Sequence, residues 1–436
     1  MLDVNFENRN GVLHIGGVSV ESLANKYKTP LYVYDQKLLR DTVKTFKNNF
    51  RSNKFNTEIV YATKAFSNLY VLGLLNTYGI SFDCVSYEEM AICLKAGIDA
   101  DKIHLHGNNK TYDELKFAID NNIGLIIIDS YDEYCLLNEL LEEDRGKIDV
   151  LLRINPDVET DTHKFIQTSN ADSKFGVNIR DEKTKAFIKE LIENKKINFL
   201  GFHAHIGSQV KNLDFFKEEA QIMFEFTKKV QDEFSYDFTS INLGGGFGCR
   251  ENFDEDDINL EKFLQDYISI IENMIDDYGL KLNNIGIEPG RSMVSKAGST
   301  LYKVGSIKET LKGYPIIFVD GGMSDNIRVS LYDAKYSAFL ANKLDMSKKK
   351  KYRVGGKLCE SGDFLIKEEK FPIAERDDLL LIPFSGAYTY SMSSNYNKLV
   401  RPAVVFVENG KDFLAVRRQS VDDLIENDLN YGKGEL

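Results

Sequence analysis

The feature that most constrains this chain is an alternation. Short apolar runs at residues 59–62, 82–85, 103–105, 125–129, 150–154, 202–205, 241–243 and 285–288 are separated by stretches of helical periodicity. The runs are too apolar to turn one face toward water, which is the condition of parallel strands covered by crossover helices. Eight such units within about 230 residues predict a closed (β/α)8 barrel. An open doubly wound sheet is the alternative, because local patterning does not say whether a sheet closes.

Ser86 with Glu89, Thr111 with Glu114, and Ser130 with Glu133 have the spacing of capping boxes, in which hydroxyl and carboxylate satisfy orphan backbone donors reciprocally. Gly97 suits the left-handed stop of the helix that starts after Ser86. Past Arg291 the pattern turns to β-rich segments at 302–307, 316–320, 379–383, 403–407 and 413–417. The expected division is an N-terminal segment, 1–30, whose hairpin at 11–20 packs with the C-terminal domain; a barrel, 31–290; and a mainly β domain, 291–436. The whole is an α/β chain whose 436 residues exceed one compact core.

A net charge of −12 argues against nucleic acid and anionic membranes as partners. The one basic run, Lys348 to Lys351, reads as a solvated loop. The N-terminus lacks the basic start and apolar stretch of a signal peptide, and the five scattered cysteines form neither a zinc pattern nor a disulfide framework. A reduced, cytoplasmic protein without a metal site is the expectation.

Barrel enzymes carry their chemistry at the C-terminal ends of the strands. There this sequence places Lys64, His106, Asn108, Arg153, Asn155, His205, the run Gly244-Gly245-Gly246, and Glu288 with Arg291. A glycine run after a strand lets backbone amides approach an anion, so a phosphate is expected at Gly244-Gly245-Gly246, with a flexible turn as the alternative. Lys64, in Tyr61-Ala62-Thr63-Lys64-Ala65, is expected to be desolvated and able to form a Schiff base, although a surface lysine fits the local sequence equally well. Glu288, held by Pro289 and Gly290, could pair with a protonated ring nitrogen. These three groups are what pyridoxal 5'-phosphate needs at its aldehyde, phosphate and pyridine. His203 and His205 alternate, so only one is expected to face the interior, with His205 the better candidate to stack on a ring. Cys359, in Cys359-Glu360-Ser361-Gly362-Asp363, offers a thiol proton donor.

The strings YATKA at Tyr61, GNNK at Gly107, SKFGV at Ser173, HIGSQ at His205, GGG at Gly244, EPGR at Glu288, CESGD at Cys359 and GAY at Gly386 together resemble the fold-type III pyridoxal-phosphate decarboxylases, most closely the diaminopimelate decarboxylase family. The resemblance spans almost the whole chain. It implies an alanine-racemase-like barrel plus a β domain, a head-to-tail homodimer sharing its active sites, and decarboxylation of meso-2,6-diaminopimelate to L-lysine and carbon dioxide, the last step of lysine biosynthesis. Lys64 would hold the cofactor, His205 would stack on it and Glu288 would pair with its pyridine nitrogen. Ser208, Gly245, Pro289, Gly290, Arg291 and Tyr388 would complete the cofactor site. Cys359 would donate a proton in trans, and Arg291, Arg328, Tyr332, Glu360 and Tyr388 would bind substrate.

The sequence departs from the family pattern at Phe66, at Gly321-Gly322 and at Val329, the last leaving the chain around Arg328 less rigid than the usual proline would. Carboxynorspermidine, ornithine or arginine are the alternative substrates. A racemase would need two opposed bases instead of a thiol, and a non-catalytic cofactor-binding module would be expected to have lost Lys64 or Cys359.

Overall fold

The computed structural model describes residues 5–141, 147–156 and 173–429. They divide into two compact units: 42–249 with 257–292, and 1–41 with 250–256 and 293–436.

In the first unit eight parallel strands form β1 Asn56–Ala62, β2 Ser81–Cys84, β3 Ile103–Leu105, β4 Leu125–Ile128, β5 Ile148–Asn155, β6 Ile197–His203, β7 Ser240–Asn242 and β8 Asn284–Ile287. Each pairs with the next, β8 returns to β1 through Ile285 opposite Thr57, and β4 meets β5 through Ile126 opposite Val150, so the sheet is closed. The barrel is therefore the outcome, not the open sheet. Strands β2, β3, β4 and β7 are buried at every residue, which is why they lack a polar alternation.

The outer helices bury one stripe each. In Leu213–Phe234 the buried set includes Phe216, Ala220, Met223, Thr227 and Val230, the three-and-four spacing of a helix laid on a core. Phe216 stacks on Phe247 at 4.9 Å and meets Phe263 and Tyr267 edge-on. Phe216→Ala is expected to cost ~3–5 kcal/mol, measurable as a lowered urea midpoint.

Of the three expected capping boxes one is complete: Thr111 accepts from the Glu114 amide while Glu114 accepts from the Thr111 amide. At the other two starts the serine caps as expected, but the returning carboxylate is displaced by one residue. Glu89 accepts from Val85 N at 2.8 Å and Glu133 from Asp129 N at 3.4 Å. Each thus ties its helix to the residue that follows the preceding strand, a link that spacing alone cannot distinguish from a box.

The second unit is built on a sheet in the order Phe364–Phe371, Lys350–Gly355, Ile316–Val319, Gly298–Lys308, Leu31–Asp35, Ala403–Glu408 and Lys411–Val416. Leu31–Asp35, placed with the barrel by sequence, is a central strand here, antiparallel to Gly298–Lys308 and parallel to Ala403–Glu408. All five of its residues are buried, so its pattern could serve either unit. The N-terminal segment forms three strands, Phe6–Arg9, Val12–Ile15 and Val18–Ser19, and runs directly into the helix Val20–Tyr27. Leu13, Ile15 and Val18 share a core with Leu301, Leu379, Val405 and Val407.

Candidate active site

β1 ends at Ala62, and a 3-10 turn, Thr63–Ala65, carries Lys64 past the strand end. Thr63 Oγ1 donates to the Asp83 carbonyl at 2.8 Å, pinning the turn to β2. The Lys64 ammonium lies 3.3 Å from Asp83 Oδ2. Its side chain is 43% exposed, not desolvated as expected, because the turn lifts it clear of the apolar strand. Asp83, 2% exposed, is a functional candidate the sequence reading missed. The signal was available: an ionisable residue inside an otherwise apolar strand.

The glycine run crosses the end of β7. Gly245 N donates to His205 Nδ1 at 2.9 Å, and Asn242 Oδ1 accepts from Gly244 N at 2.9 Å. A Cβ at Gly245 would sit 2.2 Å from the Glu288 carbonyl oxygen and 3.4 Å from the His205 ring, so only glycine permits this approach. Burial, then the charges of Lys64 and Arg153, push the His205 imidazole well below its ordinary range. It is neutral, and with Nδ1 accepting, its proton is on Nε2. Gly245→Ala is expected to overpack the turn by ~1–3 kcal/mol, weakening cofactor binding about tenfold in a fluorescence titration.

Beyond β8, Pro289 O accepts from Ala62 N at 3.3 Å, and Arg291 donates through Nε to Ser208 Oγ at 3.3 Å. Gly290 faces Ala62 so closely that a Cβ would stand 2.9 Å from that of the alanine. Glu288 itself is buried and surrounded. Oε2 lies 3.1 Å from His203 Nε2, and Oε1 accepts from Asn242 Nδ2 at 2.9 Å. His106 Nε2 approaches Oε1 to 3.1 Å at an angle poorer than a hydrogen bond requires, so that contact is chiefly electrostatic. One nitrogen each of His106 and His203 and a carboxylate oxygen of Glu288 lie within 4.8 Å of one another.

Both histidines of the His203–His205 pair are thus placed at the site. The expected alternation does not hold, because β6 ends at His203 and His205 lies in the following loop. Burial opposes the Glu288 charge, but the facing histidines outweigh it and hold the carboxyl well below the usual range. Burial pushes His203 down to about 4. A neutral His203 acts on Glu288 as a hydrogen-bond donor, not as a cation, so the pair is best described as carboxylate and neutral imidazole.

That burial has a consequence for stability. Between pH 6.5 and about 4 the unfolded chain protonates a histidine that the folded chain keeps neutral at position 203. Stability from this residue is complete above 6.5 and is lost as the pH falls toward 4, by ~3 kcal/mol across the window. His205 adds in the same direction. His203→Leu should flatten the pH dependence of the urea midpoint, and an unchanged slope would remove His203 as its source.

Two motifs prove structural. Lys110 of GNNK is buried and bonded to Glu133 at 2.8 Å and to the carbonyls of Gly107 and Ile127, so its charge is not available to a substrate. Phe175 of SKFGV covers the Arg153 guanidinium at 4.4 Å, while Gly176 N donates to Asp129 Oδ2 at 3.1 Å.

The second unit carries the remaining candidates. Arg328 sits at the start of the helical turn Arg328–Tyr332 and is held firmly, not loosened by Val329: Nε donates to Tyr336 at 2.8 Å and Nη2 to Glu251 at 3.0 Å. Tyr332 and Tyr388 each face its guanidinium within 6 Å, at 5.6 and 5.8 Å. Glu251, on the segment 250–256, was not read from sequence. Cys359 and Glu360 are exposed on a loop that Asp363 pins by accepting from Met323 N and Leu358 N. Gly321 replaces the family's alanine where a Cβ would meet Asp325 at 2.1 Å and Tyr302 at 2.5 Å, so here the smaller residue is required.

A ring bearing an aldehyde at one edge, a phosphate at another and a basic nitrogen beneath suits this barrel mouth, which defines the class as a pyridoxal-phosphate enzyme of the (β/α)8 type. Residues 37–295 match the pyridoxal-dependent decarboxylases, pyridoxal binding domain. The chain is 42% identical to the diaminopimelate decarboxylase of Bacillus subtilis (strain 168) over 98% of both chains. It is 40% identical to that of Staphylococcus aureus (strain COL), covering 97% of this chain and 98% of the relative. The solved diaminopimelate decarboxylase from M. jannaschii in co-complex with L-lysine superposes with a TM-score of 0.89 at 32% identity over 98% of both chains. The chain belongs to the pyridoxal-dependent decarboxylases, within the diaminopimelate decarboxylase family. Among the described residues no helix is long and apolar enough to cross a membrane.

Proposed function

We propose that this protein decarboxylates meso-2,6-diaminopimelate to L-lysine and carbon dioxide with pyridoxal 5'-phosphate, the final step of lysine biosynthesis, in the cytoplasm. The observation that carries the reading is full-length similarity to diaminopimelate decarboxylases combined with the arrangement of Lys64, Gly245, His205 and Glu288 around one barrel mouth.

When bound, the cofactor supplies an electron sink for the pair left behind by the departing carboxyl group. The chain's own groups divide the remaining work. The Lys64 amine would hold the cofactor, with Asp83 keeping it at the strand end. The Gly246 amide, Ser208 and Arg291 would take the phosphate, since the Gly244 and Gly245 amides already donate to Asn242 and His205. His205 would offer a neutral ring face to the cofactor, and Glu288 an ionised acceptor for its pyridine nitrogen. In the second unit, Arg328 keeps Nη1 uncommitted among the described residues, and with Tyr332, Glu360 and Tyr388 it reads the distal head group, whose carboxylate and ammonium call for both signs of charge. The Cys359 thiol provides the proton that replaces the lost carboxyl. The exposure of Cys359 supports its delivery to the partner's site in a homodimer.

Carbon dioxide release tests the reading. With pyridoxal phosphate present, release from meso-diaminopimelate is expected, and none from ornithine, arginine or carboxynorspermidine. Release from one of the others instead would keep the cofactor chemistry and overturn the assignment of Arg328 and Glu360.

A further inference from the structure

The floor of the barrel mouth holds an arrangement that the proposed reaction uses only through one member. Glu288 follows β8; His106, His203 and Asn242 follow or end β3, β6 and β7. Three separate strands thus bring a polar side chain to one buried carboxylate, with His203 and Asn242 donating to different oxygens and His106 closing on the second from the side. Asn242 also accepts from Gly244 N, and Glu288 N donates to the Gly244 carbonyl at 2.7 Å. The carboxylate and the glycine turn are therefore parts of one rigid piece.

We propose that His106 and His203, with Asn242, act as positioning residues that clamp both oxygens of Glu288 and keep it aimed and unprotonated for the cofactor's ring nitrogen. The inference rests on Glu288 being the partner of that nitrogen. Three facts carry it. His106, His203 and Glu288 are each at most 6% exposed, so water cannot do this work in their place. His203 Nδ1 has no partner among the described residues, which is the tautomer required if Nε2 carries the proton toward Glu288. An ionised carboxylate only accepts, so the neutral imidazole must be the donor.

The other charged groups facing this cluster are Arg153, His205, His104, Asp83 and Glu219. Glu219 is fully buried, and burial first, then the Glu288 charge, pushes its carboxyl well above the usual range, which favours its uncharged form beside Glu288. Arg153 is the cation that balances Glu288 against Asp83 and Asp129. With the clamp removed, burial is left to act on Glu288, and burial favours the protonated acid.

The test is the pH dependence of pyridoxal phosphate affinity, measured by absorbance titration of cofactor-free protein. His203→Leu should move the acid limb of binding upward by about 1–2 pH units, the range expected for losing one hydrogen bond to a charged group, and His106→Leu should move it the same way by less, because only an electrostatic contact is lost. His203→Gln, whose amide can donate from the same place, should restore the wild-type limb. Affinity lost equally at every pH, or a glutamine variant no better than leucine, would reduce the histidines to structural packing and overturn the proposal. If the leucine variants do not fold, long-range nitrogen–proton NMR of histidine-labelled wild-type protein decides, since a His203 proton on Nδ1 excludes the clamp. Glu288→Gln separates the two readings. An acid limb that Glu288→Gln leaves untouched removes Glu288 as the nitrogen's partner, whereas a limb lost in Glu288→Gln but unmoved by the histidine variants overturns the clamp alone.

Discussion

Lys64→Ala is expected to abolish carbon dioxide release, with kcat falling by about 1000-fold or more, because the group that exchanges places with the substrate amine is gone. The structure offers no deputy at that position: the neighbouring Thr63 is spent on the Asp83 carbonyl, and Ala65 is buried. Removing the amine also takes a cation from the buried Asp83, so a modest loss of stability is expected alongside, measurable separately as a lowered urea midpoint. Cys359→Ala should lose turnover by about 100-fold while retaining cofactor binding, the scale of one general acid. The two variants together test the shared site. If each active site takes Lys64 from one protomer and Cys359 from the other, mixing the inactive variants should restore about a quarter of wild-type activity through hybrid dimers with one intact site. No recovery after verified subunit exchange would place both residues in one chain's site.

Arg328→Leu is expected to damage both stability and recognition, and the two losses can be separated. Removing Arg328 takes the cation from Glu251, whose side chain is only 14% exposed, and breaking such a buried pair costs ~3–5 kcal/mol. It also removes the guanidinium proposed to bind the distal carboxylate, so kcat/KM for meso-diaminopimelate should fall by about 100-fold or more. The double variant Arg328→Leu/Glu251→Gln should recover much of the thermal stability without recovering kcat/KM. If kcat/KM returned with stability, Arg328 would be a structural residue and the distal reader would have to be sought elsewhere.

Much of the architecture was legible because its cause is local. A strand buried on both faces must be apolar throughout, and a helix laid on it must bury every third or fourth residue, so the eight units could be counted from the chain. The reactive types at the strand ends, Lys64, His205, Gly245 and Glu288, were legible for a related reason: a barrel gathers strand ends, whatever their separation in sequence. What was not legible depends on contacts across long separations. Leu31–Asp35 has no local mark telling it to join Gly298–Lys308 and Ala403–Glu408. Glu251 meets Arg328 only after the segment 250–256 leaves the barrel.

The chain's own order of residues therefore determined the barrel, the cofactor chemistry and most of the groups that serve it. Tertiary structure alone decided the electrostatic condition of those groups: that Lys64 stands exposed beside Asp83, that His205 is neutral, and that Glu288 is ionised within a clamp drawn from three other strands. The physical reason is that periodicity and capping act over a few residues and are written in sequence, whereas burial and charge act through space and exist only once the strands have closed.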